Sequence, residues 1–83
     1  MNPVTTDAYG WALYQQGNTG PALQLLEKAG SIAPEQSVLR WHLGQAYADL
    51  GRKPEAAAQI KAALADPGFE DRDAATAALK TLG

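Results

Sequence analysis

Residues 3–36 and 37–68 carry one pattern twice, 34 residues apart, and that repetition constrains the fold more than any other feature of the chain. Gly10 pairs with Gly44, Ala12 with Ala46, Gly17 with Gly51, Ala22 with Ala56, Leu26 with Ile60, and Ala29 with Ala63. The shared positions are small or apolar, the side chains that helix-on-helix packing needs. A unit of this length cannot bury its apolar face alone, so copies must stack. Each copy holds two short amphipathic segments.

Local signals place five helices. The first is expected from about Asp7 to Gln16, with Thr5 or Thr6 as N-cap and Gly17 at the C-terminal end. Pro21 opens a second, to Ala29 or Gly30, because the first helical turn tolerates a missing N–H. Ser37 is expected to cap the third, which runs to Leu50 and stops at Gly51. Pro54 opens the fourth, ending near Ala65, and the fifth covers about Asp71 to Leu82. No stretch alternates with period two, so no strand is expected. Gly10 and Gly44 fall in mid-helix, where glycine costs about 1 kcal/mol relative to alanine. A close helix crossing would account for that cost, with Tyr9, Leu13, Leu43 and Tyr47 filling the space beside it.

The last segment departs from the repeats. Ala74, Ala75, Ala78, Leu79 and Leu82 form one apolar stripe, as expected of a helix that closes the end of a stack, and Phe69 is expected to plug the junction. The chain thus reads as a single domain over 1–83, with repeat one at 3–36, repeat two at 37–68 and a capping helix at 69–83.

Composition excludes several classes. Eighty-three residues lie near the lower limit for an independent core. The net charge is −2 with acids and bases interspersed, which gives no electrostatic footprint for nucleic acid or an anionic membrane. There is no cysteine, hence no disulfide and no thiolate metal site. No apolar run approaches the roughly 20 residues that span a bilayer, and the first residues lack the basic and apolar parts of an export signal. No phosphate-binding glycine loop, nucleophile elbow or zinc-binding HExxH is present. His42 is the only histidine and reads as a partly exposed helix residue. Asp71 and Asp73 suit the start of the last helix.

The residues also resemble a known family. Gly10, Leu13, Gly17, Ala22, Leu26, Ala29 and Pro34 in the first copy are similar to the tetratricopeptide repeat signature. So are Leu43-Gly44, Tyr47, Gly51, Ala56, Ile60 and Ala63 in the second. The resemblance implies an all-α, right-handed α-solenoid of two helix–turn–helix repeats plus a C-terminal capping helix. It also implies a protein–protein interaction scaffold that takes a peptide or helical segment in a concave groove, with no catalytic residue, cofactor or metal. The alternative is a structural C-terminal cap of a longer solenoid, with no binding role of its own. Three departures from the signature stand out: Thr6 and Arg40 occupy the sites where tryptophan is usual, Trp41 comes one residue late, and Pro67 one early.

Asn2-Pro3 resembles the end of an inter-repeat linker, which implies the last repeats of a longer array. The run from Asp7 to Gly17 is similar to the C-terminal end of long bacterial repeat proteins. Those include lipoproteins linked to the PEP-CTERM/exosortase exopolysaccharide system, and that likeness would imply an exported parent and a periplasmic segment. Otherwise the compartment stays open between cytoplasm and periplasm.

In this family the first helix of each repeat lines the groove. Asp7, Trp11 and Tyr14 recur at i, i+4 and i+7 on one side of the first helix. Val38, Trp41, Gln45 and Ala48 or Asp49 form the corresponding stripe on the third. The expected partner-binding residues are therefore Asp7, Trp11, Tyr14, Trp41, Gln45 and Asp49, with the aromatics as anchors. The competing reading packs these aromatics between adjacent repeats. Two aspartates favour a neutral or basic ligand, and the absence of lysine here argues against clamping a terminal carboxylate. The expected partner is another protein or a peptide, with no nucleic acid and no membrane contact, plus weak self-association through the groove or the Tyr9 and Trp11 end.

Overall fold

Two mid-helix glycines set the spacing of both helix pairs. The computed structural model describes residues 2–82, which form five helices: α1 (Pro3–Gln15), α2 (Thr19–Ile32), α3 (Ser37–Asp49), α4 (Lys53–Leu64) and α5 (Arg72–Leu82). α1 packs on α2 and α3 on α4; α2 meets α3, α4 meets α5, and α1 touches α3. At the α3–α4 crossing a Cβ on Gly44 would stand 2.8 Å from Ile60 Cγ1 and 3.3 Å from the Ala56 carbonyl oxygen. At the α1–α2 crossing a Cβ on Gly10 would stand 3.0 Å from Leu25 Cβ. The glycines thus allow an approach that any side chain would hold apart. Leu26 and Ile60 fill the two crossings with no exposed surface, each worth about 1.5–3 kcal/mol of apolar burial.

The helix ends follow local chemistry. α1 and α3 both close on a glycine in the left-handed region, Gly17 at φ 87° and Gly51 at φ 76°. In each case two backbone bonds fold back over the last turn. Gly17 N–H donates to Tyr14 and Asn18 N–H to Leu13, at 3.0 and 2.9 Å. Gly51 donates to Ala48 and Arg52 to Tyr47 at the same distances. This satisfies carbonyls that a helix end leaves without partners.

Three starts differ from the expectation. α1 begins at Pro3 rather than near Asp7, because Asn2 Oδ1 accepts the Val4 N–H at 2.9 Å and Pro3 needs no N–H in the first turn. α2 begins at Thr19, two residues before Pro21. Ser37 is not a cap but the first residue of α3. Its hydroxyl donates to Asp66 Oδ2 at 2.8 Å and so ties α3 to the α4–α5 loop.

α5 closes the stack in a shifted register. It meets the core through Ala75, Leu79 and Leu82, as α3 does through Leu39, Leu43 and Ala46. Each pair lies 36 residues apart rather than 34, because the α4–α5 connection (65–71) is longer than the α2–α3 connection (33–36). Ala74, expected on the apolar stripe, is consequently exposed. Phe69 is buried at the junction, beside Trp41, Ile60, Ala63 and Ala75. Tyr9 is 63% exposed rather than filling the α1–α2 space.

Candidate functional site

The α1–α3 face is built on an aromatic stack. Trp11 lies parallel to Tyr14, with ring centroids 4.7 Å apart and planes at 15°. It lies parallel to His42 of α3 as well, at 3.9 Å and 10°. Two rings this close to one indole, and nearly parallel to it, would overlap if they shared a side. Trp11 is therefore sandwiched, with both faces covered and its edge turned outward.

Asp7 locks that stack from behind. Both of its carboxylate oxygens lie 2.9 Å from His42 Nδ1. A carboxylate only accepts, so Nδ1 carries the hydrogen and donates. The two side chains are 9% and 16% exposed, and no buried side-chain polar atom among the described residues lacks a partner. The bond joins α1 to α3 across the repeat boundary and holds the imidazole plane against the indole.

At the other end Tyr14 neighbours Asp49. The Tyr14 hydroxyl is pushed up to about 12, first by burial and then by the hydrogen bond and negative charge of Asp49. It is a neutral donor at any physiological pH. Gln45, half-buried, and Asp49, exposed, complete the face. Five of the six expected residues, Asp7, Trp11, Tyr14, Gln45 and Asp49, are thus on or directly behind one surface, whose exposed carboxylate is that of Asp49.

Trp41 is a correction. It is 9% exposed and packs edge-on against Phe69, with ring centroids 6.3 Å apart and planes at 66°. Its surroundings are Ile60, Ala63 and Ala75, so it belongs to the core between repeat two and α5. Residues 7 and 41 hold the same repeat position, and that position faces the next layer of the stack. Asp7 meets His42 there, and Trp41 meets Phe69. His42 is the contributor that reading the chain left out. It lies 35 residues after Asp7, one past the repeat length, which sets it beside the Asp7-equivalent position on the next helix.

The geometry offers anchoring edges and polar tips. Among the described residues no group of three or more His, Asp or Glu is placed to hold a metal ion. No described helix is long and apolar enough to cross a membrane. A family model described as tetratricopeptide repeat matches residues 13–82. The chain belongs to the tetratricopeptide repeat family. No curated protein and no solved structure matches it. Tetratricopeptide repeats are in general scaffolds for protein–protein interaction. The match concerns the repeat and does not reach the exopolysaccharide system.

Proposed function

We propose that this tetratricopeptide domain binds a peptide or helical segment of another protein on its α1–α3 face, and that the segment is neutral or basic. The observation that carries this reading is the locked Trp11 stack. A rigid indole held between Tyr14 and His42 presents its edge at little entropic cost, a property of side chains that dominate interfaces. Gln45 supplies donor and acceptor groups to a peptide backbone, and Asp49 supplies a charge that disfavours acidic segments. A peptide array graded from acidic to basic, read with the native chain and with Trp11→Ala and Asp49→Asn, tests this. Trp11→Ala should lose the bound spots, and Asp49→Asn should lose the preference for basic ones. Unchanged spots in both variants would end the proposal.

A second reading, that this chain stacks in a longer solenoid, has its own observation. Tyr9 holds the repeat position of Leu43, which is 4% exposed where it packs on α2, whereas Tyr9 is 63% exposed and Val4 54%. In that reading α1 packs on a preceding helix pair, and in its absence two copies self-associate through the same face. Sedimentation at rising concentration checks it: Tyr9→Lys should abolish any association of the native chain. Association that survives the change would place the contact elsewhere.

A further inference from the structure

Between α4 and α5 runs a furrow of about 370 Å³, walled by Pro54, Ala57, Leu79 and Leu82 and edged by Lys53 and Lys61. We propose that it is a second docking surface, independent of the α1–α3 face, and that its occupant is an acidic amphipathic helix of a partner protein.

The repeat itself indicates that a helix fits there. One layer earlier, α4 covers part of the matching furrow between α2 and α3, and a pocket of about 290 Å³ lined by Glu27, Leu43, Tyr47 and Gln59 stays open beside it. Leu23 of α2, Leu43 and Tyr47 of α3 and Ala56 of α4 share a single buried cluster. Ala57 stands 34 residues after Leu23, and Leu79 takes the place of Leu43 at the wider spacing that α5 follows. Ala57, Leu79 and Leu82 are left half-buried. A helix laid where α4 lies in the layer before would cover them, with leucine-sized residues at i, i+3, i+4 and i+7.

The rim decides the chemistry of that helix. One layer earlier the rim acid Glu27 accepts the Tyr47 hydroxyl of α3 at 2.6 Å, a bond between the two walls of the furrow. The position 34 residues later is Lys61, an exposed cation, and Lys53 is exposed at the mouth of the furrow. Both are donors only, so an occupant that pairs with them supplies acceptors. The nearby acid on α4, Glu55, is engaged by Arg52, and neither lysine has a salt-bridge partner among the described residues. Carboxylates flanking an apolar stripe satisfy both lysines, whereas a basic helix would meet like charge on the rim.

The test uses a synthetic peptide of about fifteen residues, leucine at i, i+3, i+4 and i+7 with glutamate on the flanks, and a control with lysine in place of glutamate. Binding is followed by amide shifts of isotope-labelled protein at low salt. The acidic peptide should move Ala57, Lys61, Leu79 and Leu82 and leave Trp11 and Tyr14 in place. Combined Lys53→Glu and Lys61→Glu should weaken it about tenfold and let the lysine peptide bind instead. Both lysines are exposed, so an unchanged melting curve is expected to confirm that the variant is folded. Equal binding of the two peptides to the native chain would overturn the proposal, as would shifts confined to Trp11 and Tyr14. A peptide-free dimer using this furrow would overturn the assigned occupant in favour of a second copy.

Discussion

Gly44→Ala isolates the physical basis of the fold in one methyl group. In an unhindered mid-helix position the change would stabilise by about 1 kcal/mol. Here the new Cβ would stand 2.8 Å from Ile60 Cγ1, 3.3 Å from the Ala56 carbonyl oxygen and 3.4 Å from Gln59 Cβ. Ile60 has no exposed surface and a branched, stiff first torsion, so it has no alternative rotamer to retreat into. The Ala56 carbonyl is backbone and moves only with α4. Overpacking of this kind costs about 1–3 kcal/mol, which outweighs the gain in helix propensity. The net loss should reach up to about 2 kcal/mol, a fall of up to roughly 15 °C in Tm for a domain of this size. Gly30→Ala is the matched control. Its Cβ would meet only Leu43 Cδ2, at 3.6 Å, an ordinary contact, so that variant should gain up to about 1 kcal/mol. Thermal melts by far-UV circular dichroism read both. If the two variants shift Tm in the same direction, the missing side chain at Gly44 is not what sets the close approach of α3 and α4.

Trp41→Ala should cost about 3–5 kcal/mol and leave the chain largely unfolded near ambient temperature, whereas Trp11→Ala should cost about 1 kcal/mol; equal losses in chemical denaturation would contradict the split between core and surface. The Tyr14 and Tyr47 hydroxyls are both pushed up to about 12 by burial and by Asp49 and Glu27. Their folded values lie above the unfolded one near 10, so this stability is intact below about pH 10 and is lost as pH rises toward 12. Melting temperatures flat across that window would refute it. Asp7→Ala and His42→Ala, combined in a double-mutant cycle, should show coupling of about 0.5–3 kcal/mol, and additive losses would mean that the α1–α3 bond contributes nothing.

What could be read from the chain, and what could not, follows from what a repeat encodes. The 34-residue spacing reports which positions are packed, so Gly10, Gly44, Leu26, Ile60 and the two closing glycines were legible at once. It does not report what packs on them. Residues 7 and 41 share one position facing onward along the stack, yet one is a carboxylate and the other an indole, because the next layer offers His42 in one case and Phe69 in the other. Reading Trp41 as a surface aromatic treated it as free of that neighbour. His42 was passed over for the converse reason. A lone histidine signals no metal site, and its partner lies on another helix, where only the repeat arithmetic brings the two together. The register of α5 was hidden in the α4–α5 connection. Leu79 and Leu82 meet the core as their stripe predicted, and Ala74 turns to solvent. Local signals governed the start of α1, where Asn2 and Pro3 outweigh Thr5 and Thr6, because a side chain that caps and a residue that needs no N–H already satisfy the first turn. The candidate site therefore sits where periodicity ends: its positions come from the repeat, and its chemistry comes from Asp7, Trp11, Tyr14 and His42, in which the two copies differ.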